Sequence, residues 1–483
     1  MHVQIVRPEE LRLTANGPGV PGQEGVIYQT PRNGSTMSRT YIWNGERHVQ
    51  FGQPEVEALV SAAGKGLIIS RHRTRPCVWM PKWPEFAGGP VSATGNLLTT
   101  APGEFDAVAV VAINMDSNPL TIDATSVAVT ERSDTNASKS VPIINGSNYN
   151  VPAAAGTQNG FLPVTWAGSA TATIAAGSVA APTIVVSDFT PLSSIPRVDN
   201  PSGFPLVIVR QFWLGRTLTQ FNFANAAEVD VFSGGMAPYE WIQISQNGVD
   251  GATPANAANF TNVHTPGAQV TAMRIFGLVF RVRGGSDTIL IAGDSVEHGY
   301  SAANTSTSGF GLNTVGGYIH KTMVALANKA SPVGFINMGV AGATSAQTLA
   351  RAKLAMTALR PNVAWFKGYS SNDTPDTALK ITQQMNRVFD FVDTARSADI
   401  APVLLTSTPS SQTLALRLDY NARVTALASM AESIDINGPI YDATNAAGNY
   451  FIAAARFDAS HPNAAGHSLL TDAVTARWRA LTT

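Results

Sequence analysis

The chain has 483 residues, 44% of them hydrophobic and 13% charged, which is enough for several domains and a large core. Lys and Arg number 32 against 33 Asp and Glu, a net charge of -1. That balance excludes a whole-chain electrostatic case for nucleic acid or an anionic membrane surface. One cysteine, Cys77, excludes an intramolecular disulfide framework and any multi-cysteine metal site.

The first fourteen residues carry Arg7, Glu9, Glu10 and Arg12 and lack the apolar run of a secretory leader. The most apolar stretches, such as 204–209 and 288–292, are strand-sized, far below the ~20 residues of a spanning helix. The expectation is a protein that stays in the cytoplasm or leaves the cell without a cleaved leader, as by lysis. Residues 1–55 read as an extension or small attachment module, with a hairpin over 26–51 across Arg32-Asn33-Gly34-Ser35.

Residues 56–285 are β-like. Strands are expected at 106–114, 121–130, 183–187, 206–213, 240–245 and 272–282, separated by Gly, Pro, Asn and Ser clusters. Many short strands with such turns favour a sandwich or jelly roll. Trp79, Trp83, Trp166 and Tyr239 are candidates either for sugar stacking or for the core of this region.

From 286 to 483 strands alternate with helices. Strands are expected at 288–292, 333–338, 363–366, 402–407 and 439–441, and helices at 315–330, 345–359, 375–398, 412–433 and 463–481. Such alternation points to a parallel sheet covered on both faces, with ligands bound beyond the C-terminal strand ends.

Those strand ends carry chemistry-bearing residues. Gly293-Asp294-Ser295 follows the first strand, where a tight turn exposes a serine hydroxyl and its N–H. Asn337 to Ser345 follows the second and includes Gly339 and Gly342; a glycine lets a substrate oxygen approach a backbone N–H. Ser370-Ser371-Asn372-Asp373 follows the third, and an asparagine amide there can donate to an oxyanion. Asp458-Ala459-Ser460-His461-Pro462-Asn463 precedes the last helix, with a carboxylate placed to orient an imidazole. Each block alone has a plain structural reading as a helix cap or βα turn.

Together and in this order, the four blocks resemble those of the SGNH (GDSL-type) hydrolase superfamily over the last two-fifths of the chain. The resemblance implies a three-layer α/β/α domain with a parallel five-stranded sheet in the order 2-1-3-4-5. It places the family's serine on Ser295, its oxyanion glycine on Gly342 rather than Gly339, its asparagine on Asn372, and its Asp and His on Asp458 and His461. One departure stands out: Ser370-Ser371 occupy the positions where the family has glycine and a variable residue before Asn372.

The expected chemistry is ester hydrolysis. Ser295 attacks the carbonyl, His461 is the base and Asp458 orients it, while the N–H groups of Ser295 and Gly342 and the Asn372 amide hold the oxyanion. No cofactor or metal is needed. His298 and His467 are alternative bases: His298 sits on the serine's own turn, and His467 lies within the last helix. Asp294 reads as a hydrogen-bond partner of the turn. The β-rich region loosely resembles jelly-roll modules joined to such domains in carbohydrate esterases and phage tail proteins. The expected substrate is therefore an O-acetylated surface polysaccharide, and the expected setting a trimeric, tail-associated virion protein. The competing expectation is a virion adhesin whose hydrolase-like domain has lost turnover.

Overall fold

The computed structural model describes residues 75–83, 86–122, 124–132, 162–191, 206–220, 241–247, 275–282, 286–304, 316–327, 332–375 and 377–482, with Tyr239 and a few short strands besides. The chain divides into two compact units. The smaller comprises residues 1–70 with 426–432. In it, Ile27–Gln29 pairs antiparallel with Thr40–Trp43, which pairs with His48–Gln50. The turn expected at Arg32 to Ser35 lies outside the described residues.

The larger unit is built on one mixed sheet of ten strands. We number its main strands β1 (Cys77–Met80), β2 (Ala107–Asn114), β3 (Thr183–Val186), β4 (Ile275–Arg281), β5 (Asp287–Ala292), β6 (Val333–Asn337), β7 (Val363–Phe366), β8 (Ala401–Leu405) and β9 (Glu432–Ile434). Their spatial order is β3-β2-β4-β1-β6-β5-β7-β8-β9. Strands β6-β5-β7-β8 are parallel, with Ile289 opposite both Phe335 and Val363. From β5 onward this is the expected order, the second strand lying outside the first. The helices are α1 (Ser295–His298), α2 (Tyr318–Leu326), α3 (Ser345–Leu359), α4 (Ala378–Ser397), α5 (Leu414–Ala426) and α6 (Ala464–Thr482). Neighbouring residues on a strand point to opposite faces. Phe366 of β7 stacks on Phe391 of α4 at 4.6 Å, while Trp365 meets Trp478 of α6 at 5.4 Å. Helices α4 and α6 therefore cover opposite faces of the sheet. Among the described residues no helix is long and apolar enough to cross a membrane.

The sheet does not stop where the α/β pattern begins. β1 pairs parallel with β6 through Trp79–Phe335 and Met80–Ile336. On its other side β1 pairs antiparallel with β4, and β4 with β2. All eight residues of β2 are buried, as expected for a strand covered on both faces. A second antiparallel sheet runs Tyr149–Asn150, Ala124–Arg132, Leu206–Gln220, Phe86–Thr100, Trp241–Asn247. Many of the connections that would define a jelly roll lie outside the described residues.

One expectation is corrected and one open choice is decided. The fifth strand is Glu432–Ile434; the segment expected to supply it, 439–441, is instead entered by a 3-10 turn at Gly438–Ile440 with Pro439 in its first positions. Proline brings no N–H to a ladder and its fixed φ suits the start of a helical turn. The aromatic candidates for sugar stacking are core residues: Trp79, Trp83, Trp166 and Tyr239 are all at most 5% exposed. Trp79 lies 4.5 Å from Phe335 and 5.2 Å from Tyr239, and the Tyr239 hydroxyl donates to the Val333 carbonyl. These rings join β1 to β6, and the Trp79 indole N–H is satisfied by Thr99 Oγ1 at 2.6 Å.

Candidate active site

β5 ends at Ala292 and the chain turns directly into α1, a single helical turn. Asp294 is its N-cap and forms a reciprocal capping box with Glu297; Gly299 closes it in the left-handed region. Four residues cannot sustain a helix by propagation alone, so caps at both ends hold Ser295 on the turn. Asn337, at the end of β6, donates from Nδ2 to the Glu297 carbonyl at 3.2 Å. A Cβ on Gly339 would lie 2.3 Å from the His298 backbone nitrogen. Gly339 is thus the glycine that lets the second strand end approach α1.

Gly342 has a different task. Its φ is +77° and a Cβ there would meet nothing within 4 Å. It is an exposed left-handed position facing open space. Two residues later Thr344 caps α3 through a box with Gln347.

The segment from Asp458 folds back on this turn. His461 Nε2 lies 2.9 Å from Ser295 Oγ, and His461 Nδ1 lies 2.8 Å from Asp458 Oδ2. Asp458 Oδ1 also accepts the N–H groups of Ser460 at 2.8 Å and His461 at 2.9 Å. Partial burial pushes the Asp458 carboxyl up, but these backbone donors and the imidazole outweigh it and hold the group below the usual carboxylate range. The Tyr300 ring packs against the His461 ring at 4.3 Å.

Asn372 is joined to the Gly342 loop. Its Nδ2 donates to the Ala343 carbonyl at 3.0 Å and to Ser370 Oγ at 3.2 Å. Ser370 Oγ donates to the same carbonyl at 2.7 Å and accepts the Asn372 N–H at 3.1 Å. The departure from glycine at Ser370 therefore supplies the hydroxyl that ties the second block to the third. Asp373 adds a tie: its carboxylate accepts the Ser345 N–H at 3.1 Å, the Ser345 hydroxyl at 2.5 Å and Gln384 Nε2 at 2.8 Å.

The other two histidines are placed elsewhere. His298 is fully buried with neither ring nitrogen hydrogen-bonded. Burial, then Lys82 and His467, hold it neutral well below its ordinary range. His467 accepts the Tyr318 N–H on Nδ1 at 3.2 Å, so its proton sits on Nε2, which donates to the Tyr300 carbonyl at 3.1 Å. Neither ring is hydrogen-bonded to Ser295.

One feature of the site was not foreseen from the sequence. Lys367, just past β7, makes ion pairs with Asp294 and Glu297 beneath the serine turn. The spacing Asp294-x-x-Glu297 is a capping-box signal; nothing local to Lys367 marks it as their partner.

No protein-family model and no curated protein matches the sequence. Among solved structures the chain is similar to a member of the lipolytic protein G-D-S-L family from Veillonella parvula, at 18% identity over 40% of this chain and 99% of that one, with a TM-score of 0.30. It is similar to a carbohydrate acetylesterase family member from Sinorhizobium meliloti, at 16% identity over 41% of this chain and 99% of the other, TM-score 0.30. It is also similar to a mutant of an acetyl-xylooligosaccharide esterase from Geobacillus Stearmophilus, at 18% identity over 41% and 94%, TM-score 0.31.

Proposed function

We propose that the protein is a serine ester hydrolase. The observation that carries this is the unbroken hydrogen-bond chain from Ser295 Oγ through His461 to Asp458 at the C-terminal end of a parallel sheet. In that arrangement Ser295 Oγ attacks the ester carbonyl while His461 Nε2 takes its proton. Asp458 fixes the tautomer and stabilises the imidazolium, which then protonates the leaving alcohol. Water, activated by the same imidazole, releases the acid and restores Ser295. The developing oxyanion is received by the N–H groups of Ser295 and Gly342 and by the Asn372 amide. Such donors are each worth about 10²–10³ in rate.

For the substrate we propose an O-acetyl ester of a polysaccharide. The rim of the site is polar: Ser411 Oγ lies 3.5 Å from Ser460 Oγ, joining the loop after β8 to the His461 segment, and Gln412, Ser371 and Asn372 are partly exposed beside it. Hydroxyls and amides suit a sugar alcohol better than a lipid chain.

The test is hydrolysis of p-nitrophenyl acetate by the full chain and by Ser295→Ala, followed by NMR of acetate released from acetylated polysaccharide. Ser295→Ala is expected to lose turnover while keeping its melting temperature. Wild-type turnover in Ser295→Ala would overturn the mechanism. Shortening of glycan chains without free acetate would overturn the substrate.

A further inference from the structure

Beneath the serine turn lies a buried set of charges that the triad chemistry leaves unused. Lys367 Nζ is 2.6 Å from Asp294 Oδ1 and 2.8 Å from Glu297 Oε2, and all three side chains are at most 4% exposed. Glu297 also receives the Asp294 N–H at 3.0 Å and the Tyr318 hydroxyl at 3.0 Å. Asp294 in turn accepts the Val296 N–H at 3.2 Å. Ser295 therefore sits between two carboxylates that share one ammonium. Two such anions on a single turn repel one another when the cation is gone, because no water screens them.

We propose that Lys367 is a positioning residue for the nucleophile: its ammonium clamps Asp294 to Glu297 and so aims the Ser295 hydroxyl and N–H. The proposal rests on the ester-hydrolase reading. The two groups it aims are the one that attacks and one that receives the oxyanion, so a loosened turn lowers kcat more than it alters substrate binding.

The clamp also predicts a signature in pH. The groups facing Glu297 are Lys367, Asp294, Tyr318 and, more weakly, the buried Tyr420. Burial pushes the Glu297 carboxyl up, Lys367 draws it back, and Asp294 pushes it up again, leaving it raised. Burial pulls Lys367 down, yet the two carboxylates overcome this and keep it protonated above its ordinary range. Without the ammonium the carboxyl pair keeps a proton, and losing that proton at higher pH sets two anions against each other.

The experiment measures kcat and KM for p-nitrophenyl acetate from acid to alkaline pH in wild type, Ser295→Ala, Lys367→Met, Glu297→Gln and the Lys367→Met/Glu297→Gln double variant, with thermal melting of each. In Lys367→Met, kcat is expected to fall about 10²-fold with little change in KM, and activity to acquire an alkaline limb absent from wild type. The double variant, with one carboxylate fewer, is expected to lose that limb. A Lys367→Met protein with wild-type kcat and pH profile overturns the proposal. So does an equal loss in single and double variants with no alkaline limb, which marks a merely structural lysine. If Lys367→Met does not fold, Glu297→Gln decides: kcat about tenfold lower at unchanged KM and melting temperature supports the clamp, and unchanged kcat overturns it. Failure of the hydrolase reading is separate, because it appears as turnover that survives in Ser295→Ala.

Discussion

Ser370 shows how a single departure is absorbed by its neighbours. Its hydroxyl bonds to the Ala343 carbonyl and receives both the backbone and side-chain N–H of Asn372. Ser370→Gly removes that node while leaving the rest of the loop in place. A lost neutral hydrogen bond is worth about 0.5–1.5 kcal/mol, so kcat is expected to fall up to about tenfold with KM unchanged. Asp458→Asn is far more damaging. Its carboxylate accepts from His461 Nδ1 and two backbone N–H groups, and an amide at this position favours the wrong imidazole tautomer. The expected loss in kcat is about 10⁴-fold, read directly from p-nitrophenyl acetate kinetics. The sequence singles out Ser295, Gly342, Asn372, Asp458 and His461 through four short blocks that carry meaning only together and in order, and the structure brings Ser295, His461 and Asp458 into one hydrogen-bond chain. Lys367 is not legible there, since its partners Asp294 and Glu297 are some seventy residues away and only the pairing of β5 with β7 brings them together.

At the scale of elements, α2 and α6 meet through a histidine that must stay neutral. His467 on α6 accepts the Tyr318 N–H at the start of α2, and a proton on Nδ1 would break that bond. Burial, aided by Lys321 and His461 and opposed by the Tyr300 carbonyl, draws His467 down to about 4 from the ordinary 6.5. Burial alone draws His320, also on α2, down to about 4. Both groups have a folded pKa below the unfolded one, so their contribution is complete above pH 6.5. It is lost as pH falls toward 4, where the unfolded chain binds protons that the folded chain refuses. The loss is roughly 3 kcal/mol per histidine. Urea midpoints are expected to drop across that window; a flat midpoint would show that these rings are not held neutral.

The strands and helices after 286 followed their hydrophobic periods closely. Helix α3 begins at Ser345 and ends at Leu359, the bounds its pattern predicts. The fifth strand did not follow. Residues 427–431 lack a stop signal, so the helical pattern of α5 runs on through sequence that the protein uses for a turn and then for β9. β1 was missed for a related reason. Its four residues Cys77–Met80 are too short for a period, and their strand character comes from the neighbours on either side.

For the whole molecule the consequence lies in that short strand. β1 stands between the antiparallel strands on one side and the parallel strands on the other, and Trp79 anchors it against Phe335 and Tyr239. Trp79→Ala is expected to cost about 3–5 kcal/mol, seen as a lower melting temperature reported alike by the Ser295 site and by overall secondary structure. The chain therefore resembles a zip whose middle tooth was sewn on before either half. Residues 286–483 made alone would carry Ser295, His461 and Asp458 and yet leave β6 as an outer strand, its N–H and C=O row open and Phe335 uncovered. Open rows of that kind pair with copies of themselves. A fragment cut for convenience at the visible change of pattern is expected to associate and precipitate, while one that begins before Cys77 keeps its own stopper.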